Sequence, residues 1–96
     1  MRMFVLMYSG PSPKRVEEIL ERHDVHAWTS YGGGHGSGRT GRHDGTRAWP
    51  GESTIVMSVV PAANADAIVA ALEQEADALP PGERLHVAVM PIERFF

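Results

Sequence analysis

Eight of the ten glycines in this 96-residue chain lie between positions 32 and 51, and that clustering limits the fold more than any other feature. No hydrophobic period runs through the stretch, so it predicts neither helix nor strand but a loop of about twenty residues. A loop that long in so short a chain is either functional or disordered when empty, because glycine loses more backbone freedom on ordering than any other residue. The remainder suffices for one small core, hence a single domain over residues 1–96 with a flexible segment at 32–52. The absence of cysteine excludes a disulfide framework and a thiolate zinc site, which leaves self-association as the expected source of extra burial. A net charge of −3 argues against nucleic acid as a partner.

The ordered parts can be read from periodicity. Arg2 to Tyr8 is a short apolar run stopped by Gly10 and Pro11, which suits a strand buried on both faces. Its apolar core is too short for a signal peptide or a membrane span, so a cytoplasmic location is expected. Ser12 and Pro13 predict a helix start, with Ser12 capping and Pro13 at the first helical position. Val16, Ile19 and Leu20 then share one face until the helix ends near His23-Asp24. Val25 to Tyr31 reads as a second strand. Beyond the glycine segment, the β-branched run Ser53 to Val60 predicts a third strand closed by Pro61. Ala65, Ile68, Val69, Leu72, Ala76 and Leu79 form a helical stripe over 62–79, broken by Pro80-Pro81-Gly82, and Leu85 to Met90 gives a fourth strand. The order β-α-β-loop-β-α-β predicts an α+β, ferredoxin-like βαββαβ sandwich: a four-stranded antiparallel sheet with two helices on one face. Its other face is left open for a second copy to cover.

The candidate chemistry concentrates in the loop. Gly32 to Gly41 offers many unobstructed backbone N–H groups beside Arg39, Arg42 and Arg47, a composition suited to cradling an anion and equally to a mobile, solvated surface loop. Gly36 to Gly41 satisfies G-x-G-x-x-G, but no helix follows to face a pyrophosphate. Gly33 to Thr40 is one residue from a P-loop, with arginine where the lysine belongs and no helix after it. His35, His43 and Asp44 supply nitrogen and oxygen donors for a divalent transition metal such as nickel, copper or zinc, at no standard spacing. Ser37 lacks the G-x-S-x-G context of a nucleophile, the acidic residues of the second helix read as a solvated face, and no catalytic residue is assigned. Trp28 is expected to pack, and His23 and His86 to have no special role.

Gly36-Ser37-Gly38-Arg39-Thr40 resembles the G-x-G-R-Q segment that opens the long loop of the PII signalling proteins, and Ile92-Glu93-Arg94 resembles the V-E-R tripeptide that closes their last strand. The likeness is closer to small PII-like proteins whose loop reads G-G-G-R-T-G followed by P-G-E, here Pro50-Gly51-Glu52. The resemblance implies a non-enzymatic regulatory trimer that binds ATP or ADP between subunits and signals to a partner protein, soluble or membrane-bound, through its T-loop-like segment. On this chain it implies Gly36, Gly38, Arg39, Thr40 and Gly41 as nucleotide contacts. It adds Arg84, which stands in Pro81-Gly82-Glu83-Arg84 where the family has G-x-G-K. The family's further arginines have no counterpart before Phe96, and no tyrosine lies in the glycine loop proper. The resemblance also keeps a metal-binding or metal-tolerance role on the loop histidines as the alternative.

Overall fold

The computed structural model describes residues 1–34, 36–38, 41–43 and 52–96. Along the chain run β1 (Arg2–Gly10), α1 (Arg15–Arg22), β2 (Thr29–Gly34), β3 (Gly36–Gly38), β4 (Gly41–His43), β5 (Glu52–Val60), α2 (Ala62–Asp77) and β6 (Arg84–Pro91). The main sheet has the order β2-β5-β1-β6, every neighbouring pair antiparallel, which is the βαββαβ sandwich expected.

Because side chains alternate along a strand, β1 sends Phe4, Leu6 and Tyr8 to one face and Met3, Val5 and Met7 to the other. The first set is essentially inaccessible and meets Val56 and Val60 of β5, Leu85 of β6 and the helical residues Val16, Ile19, Leu20, Ala65 and Leu72 in one core. Each fully buried aliphatic side chain contributes about 1.5–3 kcal/mol to folding. The second set is only partly covered, and Met7 is 40% exposed. The expectation of a strand buried on both faces is therefore corrected: within one chain, β1 is buried on its helical side alone.

α1 is the more completely sunken helix, with Val16, Ile19 and Leu20 all buried. It begins later than its sequence suggests. Pro13 and Lys14 form a turn, Arg15 N–H donates to the Ser12 carbonyl, and no side chain caps the helix. The helix ends as expected near His23-Asp24. Asp24 takes φ +61°, while Asp24 N–H donates to Glu21 O and Val25 N–H to Leu20 O, which satisfies the last carbonyls in a Schellman arrangement. α2 buries Ala65 and Leu72 and keeps Ile68, Val69, Ala76 and Leu79 at the margin of the core. Glu75 joins the two helices, accepting hydrogen bonds from Arg22 at 3.0 Å and pairing with His23 at 2.7 Å, so His23 has a structural role that its sequence context did not suggest.

Two further corrections concern the glycine segment. β2 starts at Thr29 rather than Val25 and runs into Gly34, and the segment carries a short antiparallel ribbon, Gly36–Gly38 against Gly41–His43. The sequence predicted no strand there because glycine carries no side chain from which a period could be read.

Candidate functional site

The two ends of the sheet differ in chemistry. At the end where the glycine segment leaves and returns, the register sets four residues in a row across all four strands: Gly34 of β2 opposite Ser53 of β5, Ser53 opposite Ser9 of β1, and Ser9 opposite Arg84 of β6. By strand alternation these residues share the sheet's open face. The Ser9 and Ser53 hydroxyls lie 3.5 Å apart. A Cβ at Gly34 would come within 3.1 Å of the Ser53 carbonyl oxygen, so glycine permits the strands their close approach there. Gly33 takes φ +75°, and the register shifts between Tyr31 and Gly34, which kinks β2 where the loop begins. The row presents bare backbone, two hydroxyls and one guanidinium, all of which hydrogen-bond an oxyanion.

Directly behind this row, on the core side, a second set of polar groups closes the end of the sandwich. Tyr8 donates its hydroxyl hydrogen to Glu83 Oε1 at 2.8 Å and accepts from Ser12 N–H at 3.1 Å. Arg15 grips both Glu83 oxygens at 2.8 Å, and the Glu83 side chain is only 4% exposed. The Arg15 guanidinium holds the Glu83 carboxyl below its usual range, and burial, reinforced by Glu83, raises the Tyr8 phenol. Gly10 makes room for this knot: a Cβ there would lie 2.5 Å from the Tyr8 hydroxyl oxygen. Glu83 in turn ends a tight turn in which its N–H donates to Pro80 O and Gly82 takes φ +88°, the conformation a type II turn requires after Pro81. The turn delivers Arg84 to the first position of β6.

Of the residues proposed from sequence, Arg84 thus stands at the loop end. Gly36, Gly38 and Gly41 lie in the β3–β4 ribbon, with Gly38 paired to Gly41. His43 is the last residue of β4, opposite Gly36. His35, Arg39, Thr40 and Asp44 lie outside the described residues. Trp28 packs against the core as expected. Among the described residues no three His, Cys, Asp or Glu side chains gather to hold a metal. His26 pairs with Glu21 at 2.5 Å, which raises the imidazole's proton affinity. No helix among the described residues is long and apolar enough to cross a membrane. Sequence reasoning missed Ser9, Ser53, Tyr8 and Glu83, whose association depends on strand register and on contacts 44 and 75 residues apart.

Two hollows lie away from the polar row. One of about 550 Å³ is walled by Met1, Met3, Trp28, Tyr31, Met57 and Phe95 at the far end of the open face. Another of about 320 Å³ runs between α2 and β6, walled by Val69, Leu72, Ala76, Leu85 and Val87. Neither hollow includes Ser9, Ser53 or Arg84.

Comparison with known proteins identifies the architecture. A solved structure of CPII, a nitrogen regulatory PII-like protein from Thiomonas intermedia bound to ADP, AMP and bicarbonate, superposes with a TM-score of 0.67 at 16% identity, over 97% of this chain and 88% of that one. The chain has the fold of the PII-like proteins. A second CPII structure, bound to ADP and bicarbonate, gives a TM-score of 0.66 over the same shares at the same identity. No family model matches the chain, and no curated protein matches it by sequence. In this fold the glycine segment leaves the edge strand β2 and returns into its neighbour β5.

Proposed function

We propose that this chain is a non-enzymatic regulatory protein of the PII-like type that binds a small anionic effector, an adenine nucleotide, at the loop end of its sheet. The observation that carries the reading is the row Gly34, Ser53, Ser9 and Arg84 at the root of the glycine segment, in a fold shared with a protein that binds ADP and AMP. Effector oxygens accept hydrogen bonds from Arg84 and the serine hydroxyls. The residues assigned from sequence, Gly36, Gly38, Arg39, Thr40 and Gly41, contact them from the glycine segment.

Self-association adds a second wall to the row. The open face that begins at the row is apolar, and its area suits a second copy: four strands about 4.8 Å apart and up to nine residues long present roughly 500 Å². A pair of such faces reaches the roughly 1,000 Å² that a specific interface needs. The effector then sits at the border between copies, and the resemblance to PII proteins supports a trimer. Loop ordering is the signal that a partner protein reads.

Calorimetric titration of the full chain with ADP, ATP, AMP and bicarbonate tests this. Binding of an adenine nucleotide is expected, weakened about ten- to a hundredfold by Arg84→Ala, as loss of a charge-assisted contact predicts, and likewise by Arg39→Ala. No heat with any nucleotide, or equal affinity in the Arg84 and Arg39 variants, contradicts the assignment.

A further inference from the structure

The chain has five methionines and no cysteine, so its thioethers are its only sulfur. All five lie on or beside the open face. Met3 stands opposite Met90 on β6 and Val59 on β5, Met57 opposite Val5 on β1 and Thr29 on β2, and Met7 opposite Ile55 and His86. Met1 walls the adjoining hollow together with Met3 and Met57. The core on the other side of the same strands contains no methionine: it is built from Phe, Leu, Ile, Val, Ala and Tyr. That segregation is not required for a sheet surface, where β-branched residues fit at least as well. Below Arg84 the face carries no Asp, Glu, Lys or Arg, whereas the helical side presents Lys14, Glu17, Glu18, Arg22, Glu73 and Asp77. An uncharged face of this size is complementary to its own copy.

We propose that Met3, Met57 and Met90 form a modification site for peroxides, at which conversion of the thioethers to sulfoxides prevents self-association through this face. The inference rests on the self-association proposed above. In the reaction a thioether sulfur attacks one oxygen of hydrogen peroxide, the O–O bond breaks, an S–O bond forms, and the remaining oxygen leaves as water. Sulfur gives up two electrons and the peroxide takes them. With no thiol in the chain, methionine is the group that peroxide oxidises first. In the separated chain Met90 is 43% exposed and Met3 and Met57 are partly exposed, so the free subunit reacts and is then held apart. A sulfoxide is polar, and burying three of them against an apolar partner leaves three acceptors without donors.

The test is to treat the full chain with hydrogen peroxide, remove the peroxide, count added oxygens by peptide mass mapping, and measure the association state by light scattering. Untreated protein is expected as an oligomer. Protein carrying sulfoxides at Met3, Met57 and Met90 is expected as a monomer with unchanged far-UV circular dichroism, its association at least about a hundredfold weaker. The volume-conserving quadruple variant Met3→Leu, Met7→Leu, Met57→Leu, Met90→Leu should assemble and stay assembled after peroxide. Full sulfoxidation without dissociation, equal dissociation of the leucine variant, or dissociation with loss of the circular dichroism signal overturns the modification site while leaving self-association standing. An untreated monomer overturns self-association itself, and the modification site with it.

Discussion

The two faces of one sheet have been given opposite tasks, and the same strands perform both. On the inner face, Phe4, Leu6 and Tyr8 alternate into a core closed by two helices. On the outer face, Met3, Val5 and Met7 occupy the intervening positions, with no described helix or strand of their own chain over them. A period of two lets a nine-residue strand carry two independent designs. One is tight and irreplaceable within the chain, and the other is adaptable and directed outward. At the loop end polar groups gather on both faces, as the Tyr8-Glu83-Arg15 knot inside and the Ser9-Ser53-Arg84 row outside.

The contrast is broken most severely by truncation. Phe4→Ala should cost about 3–5 kcal/mol in urea unfolding, because a filled core position cannot collapse around the loss. Met7→Ala, on the other face, should change the stability of the dissociated chain by only about 0.5 kcal/mol. Similar costs for the two would mean that the faces are not distinct.

A smaller effect sharpens the account of the loop end. Gly10→Ala drives a methyl group into the Tyr8 hydroxyl and should cost about 1–3 kcal/mol. Combining it with Tyr8→Phe removes the nearest clashing atom. The double variant should therefore lose less than the sum of the single losses, and strict additivity in a double-mutant cycle would show that the two residues do not share the knot.

The pH dependence is smaller still. Arg15 lowers the folded-state proton affinity of Glu83, and Arg22 that of Glu75, so each carboxylate contributes stability that is fully present above the unfolded value of 4.5. That contribution is lost as pH falls through the depressed folded value. Urea midpoints should drop on acidification below pH 4.5, and Glu83→Gln should flatten part of the drop. His26 runs the other way. Glu21 raises its proton affinity, so its contribution is complete below 6.5 and disappears as pH rises through the raised value. Because the pair is exposed, His26→Ala should shift thermal melts at slightly acid pH only marginally.

How far the sequence could be read follows from which signals have a period. The apolar run of β1, the β-branched run of β5 and the alanine-rich stripe of α2 each announce their type through side chains, and the βαββαβ order followed from them. The ribbon of Gly36–Gly38 and Gly41–His43 was invisible because its pairing lives in the backbone. Ser12 reads as a cap, yet its N–H is bound to Tyr8 and the helix starts three residues later. Arg84 was singled out in the sequence by its place in a segment that resembles a family motif. Its neighbours Ser9 and Ser53 were not, since an isolated serine in a strand carries no mark of the register that will line it up with another. Glu83 carries no mark in the sequence of the partners, Tyr8 and Arg15, that the fold brings to it.

The claim that the loop end of the sheet is the effector site is tested most directly by amide hydrogen exchange on the full chain with and without ADP. Protection is expected in peptides covering Gly32 to Gly34, Ser53, Ser9-Gly10 and Arg84, together with the glycine segment between Gly36 and Gly41, while the β5–α2 connection at Pro61 stays unchanged. Protection confined to the hollow between α2 and β6, or none at saturating ADP, would contradict it.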